Sequence, residues 1–321
     1  MASTRAYRDD GTLIKEDFPV ADISDVLEMP DTVVWVDYCK PTEDDLEELQ
    51  AELGFHELAV QDALGGHQRP KLDHYPSHQF LVMYSVSLHG GKLAVVEIDA
   101  FIHPRWLVTV RKDEGFELGP LLERWDRSRD LAHHGVGFLV YGLIDTVIDQ
   151  AFATLDQFDQ YYDDVSDSVF SEESPIQPSA KWFEMRRALI QFHRLVVPTR
   201  EAVSALMRRD HRLVDETLYP YYQDVYDHIL RITESTDALR DLVSTIVETN
   251  LSLRDFRTNQ IMKKVTSWAA IIAVPTLITG WYGMNVPYPG FARHWGVIAA
   301  TLLIFGCAGL LFYVFKRQDW L

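Results

Sequence analysis

VTSWAAIIAVPTLITGWYGMN, residues 265–285, is the stretch of sequence that decides the fold. From Val265 to Tyr282 it carries no charged side chain, and Trp295–Phe315 is a second uncharged, apolar run. About 20 such residues form a helix that crosses the roughly 30 Å hydrocarbon layer of a membrane. A pair of buried core helices is the alternative, but no other apolar helix is evident in the chain to surround them. The pattern therefore predicts two membrane-spanning helices near the C-terminus.

The overall composition is that of a folded, acidic chain. Its 321 residues include 30 Lys and Arg against 48 Asp and Glu, a net charge of −18, and 47% of them are hydrophobic. That hydrophobic fraction excludes a disordered chain. The acidity argues against a nucleic-acid partner, because phosphate backbones are bound by clustered Lys and Arg. It is compatible with a cation as partner.

Basic residues flank both apolar runs on one side. Lys263–Lys264 precede the first run and Lys316–Arg317 follow the second, whereas the connecting loop holds only Arg293. The positive-inside rule then places both termini in the cytoplasm and the loop outside. The expected location is the plasma (inner) membrane. Tryptophans lie near the ends of the runs, as interfacial aromatics do: Trp268, Trp281, Trp295 and Trp320.

The first part of the chain reads as a mixed sheet with helices around it. Alternating or β-branched stretches predict strands at 33–38, 79–88, 92–102 and 106–111. The spacing of leucines predicts a helix over 42–53, and another helix is expected from His56 to Leu64. From about residue 133 the pattern turns helical, with breakers at Ser174, Pro175 and Pro178. The last helical pattern starts near Pro220 and has no breaker before the membrane, so it would be about 64 residues and about 95 Å long.

These patterns predict a fold class and a division of the chain. The fold class is an α/β cytoplasmic domain plus a long stalk helix and two C-terminal transmembrane helices. The domains are 1–132 (cytoplasmic α/β domain), 133–218 (acidic helical hairpin), 219–264 (stalk helix), 265–283 (first transmembrane helix), 284–294 (outer loop), 295–315 (second transmembrane helix) and 316–321 (cytoplasmic tail).

Residues 131–180 contain acidic side chains and no Lys or Arg. They include Asp145, Asp149, Asp156, Asp159, Asp163, Asp164, Asp167, Glu172 and Glu173. A solvated hairpin tip explains such a run, and so does an acidic collar that raises the local cation concentration. The sequence leaves both open.

A stripe of small and polar residues follows one side of the first span. At about 100° per residue, its members fall on an arc about 100° wide. They are Asn259, Met262, Thr266, Ala269, Ala273, Thr276 and Gly280. Close packing of membrane helices uses small residues in this way, and a water-filled pore would use them equally well. Two spans per chain cannot enclose a pore, so the second interpretation requires a homo-oligomer.

The tetrapeptide Tyr282–Asn285, placed directly after one span and shortly before another, resembles the signature of the CorA family of magnesium channels. Four further segments resemble blocks of that family: 67–71 (HQRPK), 219–228 (YPYYQDVYDH), 259–266 (NQIMKKVT) and 275–280 (PTLITG). The resemblance implies a funnel-shaped homopentamer in which five first spans line a pore for Mg²⁺ influx. It therefore favours the pore interpretation of the stripe.

The resemblance also implies roles for single residues. Gly283, Met284 and Asn285 would form the selectivity filter, with Gly283 allowing a tight turn and Met284 packing to hold the loop. Five Asn285 amides would accept hydrogen bonds from the water shell of Mg²⁺, an ion that loses its water reluctantly. Asn259 and Thr276 would receive the hydrated ion, and Met262 would form part of an apolar constriction.

Regulation by cytoplasmic Mg²⁺ is implied as well. The segments 58–64 and 221–228 place Asp62 and Asp224 at a metal site between neighbouring subunits, where bound Mg²⁺ would hold the closed state. Gln61 and Gln150 stand where family members can carry further acids, which weakens a second sensing site. The outer loop lacks an acid, and Ala273 replaces a bulkier pore residue.

Two rival interpretations remain. The same architecture could transport Co²⁺, Ni²⁺ or Zn²⁺, although the intact Gly-Met-Asn tripeptide favours Mg²⁺. A membrane-anchored divalent-ion sensor that conducts nothing is the second rival. An enzyme is not expected, because the sequence has no phosphate loop, nucleophile elbow or HExxH motif. His74 and His78 have a zinc-ligand spacing, but no third ligand is evident.

Overall fold

A computed structural model describes residues 2–8, 10–170, 180–209, 213–291 and 293–321. The chain forms two compact units, Met1–Ser244 and Thr245–Leu321. The predicted breakers at Ser174, Pro175 and Pro178 lie outside the described residues, as do Glu172 and Glu173 of the acidic run.

The first unit is built on a sheet of seven strands in the described residues, in the order β2-β1-β3-β7-β6-β5-β4. Only β3 and β7 pair in parallel, and the other neighbours are antiparallel. The strands are β1 Ala2–Arg8, β2 Leu13–Glu16, β3 Thr32–Cys39, β4 Lys71–His74, β5 Gln79–His89, β6 Lys92–His103 and β7 Trp106–Arg111. The four strands predicted from alternation are confirmed.

Helices cover the sheet and extend beyond it. After a 3₁₀ turn at Val20–Asp22, they are α1 Ile23–Glu28, α2 Glu43–Leu53, α3 Glu57–Gly65, α4 Gly119–Arg127, α5 Arg129–Ala132, α6 Val136–Phe170, α7 Ala180–Arg209, α8 Tyr219–Tyr282 and α9 His294–Arg317. The start of α2 shows how local sequence sets a boundary. The Thr42 hydroxyl accepts from the Asp45 amide at 3.3 Å, and the Asp45 carboxylate accepts from the Thr42 amide at 2.7 Å. This capping box satisfies two of the free amides at the helix end.

Helix α6 corrects one step of the sequence argument. Three helices among the described residues are long and apolar enough to cross a membrane, and α6 is one of them. In its most apolar window 72% of the residues are buried inside the first unit, where α6 packs on β5. The expectation that the chain has no other apolar helix is therefore wrong, because a core helix can match a membrane span in composition.

The second unit contains the apolar part of α8 and the apolar helix α9. Helix α8 is 64 residues long and contains Pro275 without ending there, as the absence of other breakers predicts. The apolar windows of α8 and α9 are 6% and 0% buried. Such exposure is expected of helices whose partners are lipid or other chains.

Candidate functional site

The stripe on α8 is exposed in the single chain. All seven of its members, from Asn259 to Gly280, are exposed. Four partly buried residues of the same segment, Ile271, Val274, Pro275 and Ile278, lie roughly opposite the stripe at 100° per residue, and a fifth, Ala270, lies beside it. The stripe is therefore available to another copy of the chain or to water.

Hydrogen-bond acceptors are distributed along this stripe. The Thr276 hydroxyl donates to the Ile272 carbonyl at 2.9 Å, so the lone pairs of its oxygen remain free to accept from water. Asn259 is exposed near the other end of the stripe. The exposed thioether of Met262 lies between them, with 59% of the residue accessible. The arrangement suits water held around a cation better than a bare cation.

Asn285 follows the end of α8 within one turn. The Gly283 amide still donates to the Thr279 carbonyl at 2.8 Å, and the Met284 amide donates to the Trp281 carbonyl at 3.2 Å. The Asn285 side chain is exposed and makes no hydrogen bond with any residue that the structure describes. Its amide is thus free to bind a ligand from solvent.

Gly283 lies in a turn directly after α8, and a second glycine shapes the outer loop. Gly283 is not among the residues with positive φ, whereas Gly290 has a φ of 96°. A Cβ at Gly296 would collide with the Gly290 carbonyl oxygen, so two glycines bring the outer loop against the start of α9. A positive φ and a close backbone approach are both conditions that favour glycine.

An aromatic cluster supports the same loop, and the sequence analysis missed it. The Tyr288 ring packs edge-on against Tyr282 at 4.9 Å and against Phe291 at 5.3 Å between centroids. The signal was present as aromatic residues on both sides of the Gly-Met-Asn tripeptide. Met284 is 47% exposed, so the packing assigned to it is only partly made within one chain.

The two predicted sensing residues have different surroundings in the first unit. Asp62 on α3 accepts from the Lys71 ammonium at 2.6 Å and from the Gln68 amide at 3.3 Å. Asp224 on α8 is exposed, and its carboxylate lies 3.8 Å from the His228 imidazole. No hydrogen bond or ion pair joins Asp62 to Asp224 in the described part of one chain.

The surroundings of Asp224 favour metal binding, whereas those of Asp62 oppose it. Asp224 offers an open carboxylate of the hard oxygen type that Mg²⁺ prefers. Asp62 offers the same group but already holds a cation. Within the described residues of one chain, no three His, Cys, Asp or Glu side chains form a metal cluster.

Other residues singled out from the sequence have structural partners. Gln150 accepts a hydrogen bond from the Ser85 hydroxyl, and Gln61 donates to Glu57 at 3.2 Å. The acidic run is partly neutralised, because Arg124 on α4 pairs with Asp145 and Asp149.

Comparison with known proteins identifies the family of this chain. The model of the family described as "CorA-like Mg2+ transporter protein" matches residues 30–317. A cobalt/magnesium transport protein CorA of Thermotoga maritima is 28% identical over 95% of this chain and 89% of its own length. The chain belongs to the CorA-like Mg²⁺ transporter family.

Solved structures share the fold at lower identity. The complete CorA magnesium transporter of Methanocaldococcus jannaschii matches with a TM-score of 0.76 at 20% identity, over 100% of this chain and 99% of that one. The full-length CmaX protein matches with a TM-score of 0.72 at 20% identity, over 99% of this chain and 97% of that one. Both matches extend over the sheet unit and the apolar helices.

Proposed function

We propose that this chain is the subunit of a homopentameric Mg²⁺ channel that mediates magnesium influx across the plasma membrane. The observation that carries the proposal is the exposed stripe on α8, which lies roughly opposite the partly buried side of that helix and ends near the free amide of Asn285. Five copies around an axis would turn this stripe into a pore wall. The pore would be lined by Asn259, Met262, Thr266, Ala269, Ala273, Thr276 and Gly280.

The burial of the apolar helices supports the proposed membrane arrangement. Residues 265–283 and 295–315 are the two spans, and α6 is excluded because it is buried in the first unit. The remaining divisions at 1–132, 133–218, 219–264, 284–294 and 316–321 complete the subunit, with both termini in the cytoplasm. Lipid would cover the apolar residues of the two spans that lie outside the stripe.

The filter would act on the hydrated ion. Gly283, Met284 and Asn285 form the mouth of the pore, and the Asn285 ring supplies neutral acceptors to water bound by Mg²⁺. An amide attracts such water without the strong hold of a carboxylate, which leaves the ion free to move on. Transport, rather than catalysis, is what these groups support.

Cytoplasmic Mg²⁺ would close the channel at the boundary between subunits. Asp62 of one chain and Asp224 of the next would share the ion, and their mutual repulsion without it would loosen the contact. Because binding favours one state of the assembly, rising internal Mg²⁺ would reduce influx. The regulatory and the transported ion would then be the same element.

The test is flux into proteoliposomes that contain an internal Mg²⁺ indicator, with low Mg²⁺ on the cytoplasmic face. Asn285→Ala should abolish Mg²⁺ influx or its selectivity, whereas Val286→Ala in the same loop should leave both intact. No wild-type influx would contradict the proposal. The non-conducting sensor predicts that Asn285→Ala changes nothing.

Cobalt is the specific alternative, since the relative in Thermotoga maritima is named for cobalt as well as magnesium transport. The same liposomes should be tested with Co²⁺, Ni²⁺ and Zn²⁺. Influx of one of these without influx of Mg²⁺ would keep the architecture and change the ion.

A further inference from the structure

Lys71 places a positive charge on the carboxylate that the proposed function assigns to the sensing site. Its ammonium lies 2.6 Å from Asp62 Oδ2 and 2.6 Å from Asp73 Oδ2. The other oxygen of Asp62 accepts from the Gln68 amide at 3.3 Å. Both oxygens of Asp62 are therefore engaged before any metal binds.

The ammonium neutralises the carboxylate to which a divalent cation would have to bind, and it also pairs with the Asp73 carboxylate. The three side chains are between 28% and 38% exposed, so water screens their interaction only in part. Burial lowers the pKa of Lys71, and the hydrogen bonds to Asp62 and Asp73 outweigh it, so that its pKa is raised. Lys71 thus stays charged at neutral pH.

Asp73 is a second ion-pair partner for the Lys71 ammonium. It pairs with Lys71 at the same distance as Asp62 does. If Asp62 turned to a metal, Lys71 would keep one carboxylate partner and would not be left as an unpaired, partly buried charge. The Lys71 ammonium can therefore be replaced on Asp62 by a metal ion while it keeps its ion pair with Asp73.

We propose that Lys71 is a built-in competitor of the regulatory cation, which sets the Mg²⁺ concentration at which the Asp62 site fills. Mg²⁺ binds Asp62 by displacing the ammonium, and Lys71 then pairs with Asp73 alone. This inference rests on the proposed role of Asp62. It adds a residue that tunes the sensor without contacting the metal.

The first measurement is Mg²⁺ binding to the purified full-length protein, by calorimetry and by the Mg²⁺-dependent rise in its thermal unfolding temperature. Lys71→Met removes the charge and keeps the stem near the Phe80 ring, which now lies 5.9 Å from the ammonium. Half-saturation should fall to about one tenth of the wild-type Mg²⁺ concentration, because a neighbouring positive charge has been removed. Lys71→Arg, which keeps the charge, should bind Mg²⁺ close to the wild-type concentration.

Asp73→Asn should act in the opposite direction. Without a second carboxylate, Lys71 would remain on Asp62, and Mg²⁺ binding should weaken. Lys92→Met is the matched control: Lys92 is exposed in the same sheet and forms no ion pair with any residue described here. It should leave binding unchanged, and Lys71→Gln serves as a second neutral variant if Lys71→Met does not fold.

The outcomes separate this inference from the proposed function. If Asp62→Asn weakens Mg²⁺ binding but neutral variants of Lys71 do not tighten it, the sensor stands and the role of Lys71 is overturned. If Asp62→Asn leaves binding unchanged, the assignment of Asp62 fails, and the role of Lys71 fails with it. Tighter binding that persists in Lys71→Met combined with Asp62→Asn would also contradict the inference.

Discussion

Helix α6 and the apolar part of α8 are similar in composition and opposite in environment. Both satisfy the length and hydropathy expected of a membrane span, yet 72% of the apolar window of α6 is buried and only 6% of that of α8 is. Composition alone therefore shows only that a helix is apolar. Its burial within the chain shows whether its apolar side chains contact the protein core or are left for lipid or other chains. A helix covered by its own sheet is core, and one left bare needs lipid or other chains.

The largest effect should come from truncating matched phenylalanines in the two environments. Phe158 on α6 is 0% exposed, and Phe305 on α9 is 73% exposed. Phe158→Ala leaves a cavity beside Phe192 and should cost about 3–5 kcal/mol of folding stability, whereas Phe305→Ala should cost less than about 0.5 kcal/mol. Thermal unfolding of the detergent-purified variants measures both. Equal losses would break the comparison.

The next effect concerns pH. His78 is buried in the sheet unit, and burial, with His56 and His103 nearby, lowers its pKa to about 4. Because the unfolded chain takes up a proton below about pH 6.5 and the native chain resists it, stability present above that pH is lost as the pH falls towards 4. The loss should reach about 3 kcal/mol.

The variant His78→Phe isolates this contribution, since the ring packs near Phe55 and Phe101. Between pH 6.5 and 4 its unfolding temperature should fall less steeply than that of the wild type. His294→Phe is the control in the second unit, where His294 is exposed, and it should keep the wild-type slope. A His78→Phe slope equal to the wild type's would contradict the account.

The smallest effect separates two glycines of α9. A Cβ at Gly296 would collide with the Gly290 carbonyl, and a Cβ at Gly306 would meet nothing within 4 Å. Gly296→Ala should displace the outer loop at a cost of about 1–3 kcal/mol and reduce Mg²⁺ influx. Gly306→Ala should conduct normally. Normal influx in both would show that the loop position does not matter for the mouth.

Sequence reasoning predicted the long helix and much of the sheet because their signals are local. Alternation marked β5, β6 and β7, and the lack of breakers predicted the length of α8. It missed β1, which pairs with β3, and the four-residue edge strands β2 and β4, which pair with β1 and β5. The contact of Lys71 with Asp62 also escaped it, because a loop of irregular backbone joins the two residues.

The candidate site divides in the same way. A helical period is enough to find the stripe, since every member lies on one regular helix. The roles of Asp62 and Asp224 came from resemblance alone, because a site shared between chains leaves no spacing pattern within one. The glycine contact that holds the outer loop depends on backbone geometry, which residue types alone do not specify.

The most direct test of the central claim compares two threonines of α8 that are both exposed in the single chain. In a background with Cys39→Ser and Cys307→Ser, Thr276→Cys places a thiol on the stripe, and Thr279→Cys places one about 60° outside the arc of the stripe. A membrane-impermeant, charged thiol reagent reacts only where water reaches the thiol. The account predicts rapid modification and loss of Mg²⁺ influx for Thr276→Cys, and neither for Thr279→Cys. An unmodified Thr276→Cys, or equal modification at both positions, would contradict a water-filled pore along the stripe.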